Sequence, residues 1–312
     1  MPLHPALAKL LEEKAKRNGP HQSKLSIQEV RKNFRDLFSP ALVGPLIEVE
    51  AVTNFSLPTE SGSIPARLYR PAGKEPFALI VYFHGGGFVK GDLETHDFYC
   101  RRLAKTTRCL VLAVNYRLAP EHRFPQAVED AYAAAEWGFK HAEKIGADRE
   151  KVIVAGDSAG GNLAAVVAHL ARDERSFPLF AQILILPVVD FTLSFPSIEM
   201  DKREILVTKE DLQWYYATYY GTDKDCKNPL VSPIWASNLK NLPPAMILTA
   251  EYDNLRDEAE AYAKKLKAAG NLVLLKRYEG MVHGFVQMSG IVKQAQESID
   301  DIARFLQQLL VL

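Results

Sequence analysis

Four short stretches of this chain carry groups that could act together on a carbonyl. The first is Gly156-Asp157-Ser158-Ala159-Gly160-Gly161-Asn162, set between the apolar run KVIVA (151–155) and the helix-like LAAVVAHLA (163–171). A serine hydroxyl is a weak nucleophile at neutral pH and needs a base to take its proton as it attacks. The G-x-S-x-G spacing between a strand and a helix makes a sharp turn that lifts such a serine clear of the sheet. Gly156, Ala159 and Gly160 are small because larger neighbours would collide in that turn. A helix begun at Ala159 also aims its first N–H groups at any anion forming near Ser158. The rival reading of a glycine-rich turn, a phosphate cradle, lacks its GxxxxGK[ST] pattern here.

The second stretch is His84-Gly85-Gly86-Gly87-Phe88, directly after ALIVYF. Three successive glycines carry an entropic cost that a strand end does not require. They make sense where backbone N–H groups must turn inward towards an oxygen that becomes negative. The expected oxyanion donors are therefore Gly85, Gly86 and Ala159, with Gly87 shaping the turn. Losing one such donor raises the barrier by about 3 kcal/mol. His84 has no second ligand at metal-binding spacing, so it reads as a brace for the loop. A base and its orienting acid are expected later, at strand ends, in the order serine, acid, histidine. Asp253 follows PAMILTAEY and His283 sits in GMVHGF. Asp253 could instead cap the helix after it, and Asp257, one turn into that helix, is the runner-up acid.

These side chains need a frame. ALIVYFH (78–84), CLVLAVNY (109–116), KVIVAGD (151–157), QILILPVV (182–189), PAMILTAEY (244–252) and NLVLLKRYE (271–279) are near-continuous apolar runs. Strands buried on both faces of a parallel sheet have this composition. Helical stretches at 96–107, 124–143, 160–172, 255–269 and 289–310 alternate with them, which implies right-handed crossovers and a doubly covered sheet. Two alternating segments, 47–57 and 64–70, joined by PTESGS, predict an antiparallel hairpin that brings the strand count to eight. Residues 3–17 and 27–38 have helical periodicity. More than fifty residues separate Asp190 from Pro244, including DLQWYYATYYG (211–221), and inserts of that length in compact domains tend to be functional. Residues 1–45 and 191–235 are therefore expected to form a cap over a catalytic domain of 46–190 and 236–312. The cap's aromatic residues either pack against the core or, with Phe88, line an apolar acyl pocket.

Composition narrows the class of function. Of 312 residues 47% are hydrophobic and 24% charged, and the formal net charge is zero, which argues against a nucleic-acid partner. No run approaches the 18 apolar residues of a membrane span, and the first residues lack the apolar core of a signal peptide. Three cysteines without a CxxC pattern indicate neither a disulfide framework nor a zinc site. The expectation is a cytoplasmic protein without metal or cofactor.

With HGGGFVKGD (84–92), NYRLAPEHRFPQAVED (115–130), GDSAGGNLAA (156–165), YDNLRDEAE (252–260) and GMVHGF (280–285) in this order, the chain resembles the hormone-sensitive-lipase-like carboxylesterases of the α/β-hydrolase superfamily. The resemblance implies an α/β fold with an eight-stranded, mostly parallel sheet and a helical cap. It also implies a triad of Ser158, Asp253 and His283, oxyanion donors at Gly85, Gly86 and Ala159, and frequent pairing of two copies through the last strand and helix, here 271–310. One departure is Asn254, where the family usually has proline. The expected reaction is hydrolysis of short- to medium-chain carboxylic esters through an acyl-enzyme, with activity declining on acidification through about pH 6–7 as the base protonates. Hydrolysis of lactones, amides or carbamates uses the same triad, and plant hormone receptors of this branch reuse the fold with the histidine position altered.

Overall fold

The computed structural model describes residues 2–16, 19–59, 62–201 and 203–311. Arg17, at the end of the expected first helix, and Glu60 and Ser61, in the expected turn, lie outside these residues. Eight strands form one sheet: β1 (Ala51–Thr59), β2 (Gly62–Arg70), β3 (Phe77–Phe83), β4 (Leu110–Val114), β5 (Ala147–Asp157), β6 (Ala181–Ile185), β7 (Ala245–Tyr252) and β8 (Val273–Val282). Their spatial order is β1-β2-β4-β3-β5-β6-β7-β8. β1 and β2 pair antiparallel, β2 joins β4 antiparallel, and every later neighbour is parallel. This is an α/β-hydrolase sheet.

The apolar runs become strands because alternate residues enter two separate cores. Leu79, Val81 and Phe83 of β3 share one cluster with buried residues of α5 (Gln126–Lys140), α6 (Ala159–Glu174) and α8 (Arg256–Ala268). Ile80 and Tyr82 face the other way, towards α4 (Asp97–Thr107) and α9 (Gln294–Val311). Helices thus cover both faces, and neither set of strand residues is left in water.

β6 is shorter than the 182–189 expected from composition. After Ile185 the chain turns at Leu186, whose φ is 49°, and leaves the ladder. The reason lies in the following amides: Val188 N–H donates to the Ser158 carbonyl at 3.2 Å, and those of Val189 and Asp190 donate to Glu258 Oε1 at 2.8 and 3.1 Å. The apolar segment therefore serves the turn around Ser158 instead of extending the sheet.

The N-terminal residues form α1 (Pro5–Lys16), α2 (Ile27–Arg35) and the short α3 (Pro40–Val43), and the long insert carries α7 (Lys209–Tyr219). A capping box starts α2: the Ser26 hydroxyl accepts from Glu29 N–H while Glu29 accepts from Ser26 N–H. α7 begins the same way with Thr208 and Asp211. The two regions touch. Lys14 Nζ donates to the Leu206 carbonyl at 2.7 Å, Gln22 Nε2 to Asp211 Oδ1 at 2.5 Å, and the Tyr215 hydroxyl to Gln22 Oε1 at 3.0 Å.

Candidate active site

Ser158, Asp253 and His283 are each the first residue beyond a parallel strand, following β5, β7 and β8 respectively. His84 stands in the same relation to β3. The sheet delivers all four to one edge, where strand order and parallel direction place their side chains together.

Ser158 adopts φ 55°, ψ −117°, a region that costs a non-glycine residue on the order of 1–3 kcal/mol. Its N–H donates to the Ile185 carbonyl at 2.8 Å, which helps to hold the turn. The small neighbours have steric cause: a Cβ on Gly160 would lie 1.9 Å from the Phe83 carbonyl oxygen. α6 then starts at Ala159 with its N-terminus beneath the serine.

The structure brings the three expected polar side chains into a chain of hydrogen bonds. His283 Nε2 is 3.0 Å from Ser158 Oγ, and His283 Nδ1 is 2.8 Å from Asp253 Oδ2. The other oxygen of Asp253 accepts the Leu255 N–H at 3.0 Å, so the carboxylate also serves the entry to α8. Asp257 engages elsewhere, taking Ser197 N–H and Arg256 Nε. Burial works against a charged imidazole at His283. The charge and hydrogen bond of Asp253, with a further contribution from Asp157, outweigh it and raise the pKa above its ordinary 6.5.

The glycine loop corrects one expectation. The Gly85 N–H is already engaged, donating to Asp157 Oδ1 at 2.9 Å and approaching His96 Nε2 at 3.3 Å, so it does not face a substrate oxygen. Among the described residues no hydrogen bond takes the N–H of Gly86, Gly87 or Ala159. Gly87 has φ +64°, and a Cβ there would stand 2.4 Å from the Tyr215 ring. His84 braces the loop: its Nδ1 lies 2.9 Å from the Gly85 carbonyl, and its ring stacks on Tyr116 with centroids 4.3 Å apart. Burial, helped by the nearby His96, lowers its pKa to about 4 and keeps it neutral. Composition and spacing passed over Asp157, His96 and Glu258; a carboxylate beside the serine was visible, but nothing in the sequence shows where it points.

Phe88 is fully covered and stacks on Tyr219 at 4.0 Å, while Phe191 stacks on Tyr216 at 3.8 Å. These rings pack α7 against the loops after β3 and β6, and Phe88 forms part of that packing.

Residues 80–287 match the family described as having the alpha/beta hydrolase fold. Over 255 residues, 80% of this chain and 67% of the relative, the sequence is 46% identical to a carboxylic ester hydrolase, LipN, of Mycobacterium tuberculosis. It is 37% identical over 292 residues to an ethyl acetate hydrolase of Pseudomonas putida, covering 92% and 91% of the two chains. The solved structure of a hyperthermophilic esterase from the archaeon Pyrobaculum calidifontis superposes over the full length of both chains, with a TM-score of 0.91 and 41% identity.

Proposed function

The chain belongs to the hormone-sensitive-lipase-like carboxylesterase family of the α/β-hydrolase fold, and from that premise we propose that it hydrolyses carboxylic esters with Ser158 as nucleophile, His283 as base and Asp253 as orienting acid. The observation that carries this reading is the position of His283, with one ring nitrogen on Asp253 at 2.8 Å and the other on Ser158 at 3.0 Å.

His283 Nε2 takes the Ser158 proton as Oγ attacks the ester carbonyl, and the new alkoxide is met by the free amides of Gly86, Gly87 and Ala159. His283 then hands its proton to the leaving alcohol, and an acyl ester remains on Ser158. Water enters, gives a proton to the same nitrogen and attacks the acyl carbon; the returning proton restores Ser158 and releases the acid. Asp253 holds the tautomer with Nδ1 protonated and stabilises the imidazolium formed in each half.

Several features support a preference for short to medium acyl chains. The rings of Phe88, Phe191, Tyr216 and Tyr219 fill the space between α7 and the loops beside the serine. A relative is named for ethyl acetate. Residues 1–45 and 191–235 serve as the cap, an assignment supported by their mutual hydrogen bonds and by the contact of Tyr215 with Gly87. Among the described residues no helix is long and apolar enough to cross a membrane, and free Cys100, Cys109 and Cys226 support a reducing, cytoplasmic setting. Pairing of two copies is supported at β8, the last strand of the sheet, where Leu274 and Leu275 are exposed, as are Leu272 just before it and Leu310 on α9.

A series of chromogenic esters of increasing acyl length, run beside Ser158→Ala, tests the reaction and its preference together. Wild-type activity should be greatest at short or medium chains, and Ser158→Ala should fold normally and lose on the order of 10⁴ or more in kcat. A maximum at the longest chains overturns the preference; turnover by the alanine variant overturns the nucleophile.

A further inference from the structure

Directly before Ser158 stands a carboxylate to which the acyl-transfer steps give no task. Asp157 is 7% exposed, and its Oδ1 is the meeting point of three elements. The Gly85 N–H of the glycine loop donates to it at 2.9 Å, the hydroxyl of Tyr82 in β3 donates at 2.6 Å, and Nε2 of His96, at the entrance to α4, lies 3.4 Å away. The fit leaves no slack: a Cβ on Gly85 would fall 2.3 Å from Asp157 Oδ2 and 3.0 Å from the Asp157 carbonyl oxygen. The first glycine of the loop is therefore a docking point for this carboxylate.

We propose that Asp157 is a positioning residue: by holding the Gly85 N–H it staples the glycine loop to the turn that carries the nucleophile, and so sets the oxyanion amides opposite Ser158. This rests on the reading of Ser158, Gly86, Gly87 and Ala159 given above. The staple is effective because it is short along the chain on both sides. Asp157 adjoins Ser158 and Gly85 adjoins Gly86, so one hydrogen bond fixes the separation between attacking oxygen and waiting donors. Without it the loop can shift, and a displacement of about 1 Å is enough to lose on the order of 10²-fold in rate.

The same carboxylate also acts through its charge. His283 is faced by Asp253, Asp157 and Lys90; the two carboxylates favour its imidazolium form and the ammonium opposes it. Around Asp157 stand His96, Tyr82 and His84, with Tyr99 and Tyr116 nearby. Burial works against the Asp157 carboxylate, but His96, the Tyr82 hydroxyl and His84 hold its pKa below the ordinary carboxylate range. Removing that charge alters the field at His283.

Steady-state kinetics over a range of pH, with thermal unfolding of each protein, test the staple on a soluble chromogenic ester. Asp157→Ala is expected to lose on the order of 10²-fold in kcat with little change in KM. Asp157→Asn, which keeps an acceptor oxygen for Gly85, should recover most of that loss and carry the acid limb of kcat/KM to lower pH. If the alanine variant does not fold, Asp157→Leu, closer in volume and equally without an acceptor for Gly85, carries the same test. Wild-type kcat in a folded Asp157→Ala or Asp157→Leu protein overturns the proposal, whereas an acid limb that stays in place in Asp157→Asn overturns only the effect of the Asp157 charge on His283. Ser158→Ala alongside separates the two layers. Activity in that variant sinks the nucleophile assignment, whereas an inactive Ser158→Ala beside an unimpaired Asp157→Ala sinks the staple alone.

Discussion

His283 is pulled in two directions, and the balance has a measurable consequence. Burial disfavours its charged form, yet Asp253 at 2.8 Å more than compensates, and the folded-state pKa stands above 6.5. The imidazolium form therefore stabilises the fold at pH below the unfolded value, and that contribution is lost as pH rises through the folded one. In the proposed mechanism catalysis follows the opposite sign, because His283 as base must be neutral to accept the serine proton. The acid limb of kcat/KM is accordingly expected to have its midpoint above pH 6.5, the ordinary histidine value. A profile from pH 5 to 9 on a soluble ester checks this, and a midpoint at or below 6.5 would contradict the dominance of Asp253. The three hydrogen-bonded side chains, Ser158, His283 and Asp253, were readable as candidates because serine, acid and histidine at strand ends admit few choices. Gly85 was misplaced for an equally physical reason. All three loop glycines have the same N–H, and only the position of Asp157 shows which one is taken.

Elements begin and end where backbone groups find partners, and this is where composition misleads. QILILPVV is uniformly apolar, but only its first part is strand, since the amides of Val188, Val189 and Asp190 bond Ser158 and Glu258. Glu258 lies on α8, far along the chain, and its buried carboxyl is held well above its ordinary pKa, first by burial and then by the charge of Asp190. The start of α8 offers a sharper test. Asn254 is 1% exposed, and neither its side-chain oxygen nor its nitrogen has a hydrogen-bond partner in the protein. A buried polar group left so carries about 1–3 kcal/mol of desolvation penalty, and proline in the turn ahead of α8, whose N-cap is Leu255, lowers unfolded-state entropy by a further 0.4–1 kcal/mol or so. Asn254→Pro should therefore raise the thermal midpoint by about 1.5 °C per kcal/mol gained. An unchanged or lower midpoint in calorimetry would show that the amide has a role that the fold conceals.

Across the molecule, the sheet ends in two edge strands, β1, antiparallel to β2, and β8, parallel to β7. β8 is an edge with Leu274 and Leu275 at 40% and 36% exposure, and an exposed apolar edge strand is a template for pairing. Two copies related by a two-fold axis would cover it with the same patch from each side. Sedimentation at micromolar concentration should show a dimer, and Leu274→Lys should shift it towards monomer while leaving the distant triad competent. A monomeric wild type, or a dimer indifferent to that substitution, removes β8 as the interface.

The order of strands and helices, the two-sided burial of the sheet and the choice of Ser158, His283 and Asp253 as candidate nucleophile, base and acid came from amino-acid types at given spacings, because hydrophobic periodicity and acyl-transfer chemistry are both local demands. Which glycine amide remains free, where β6 leaves the ladder, and whether Phe88 packs or lines a pocket were decided only when distant segments met. Each depends on which partner reaches a backbone group or ring first: Asp157 for Gly85, Glu258 for Val189, Tyr219 for Phe88.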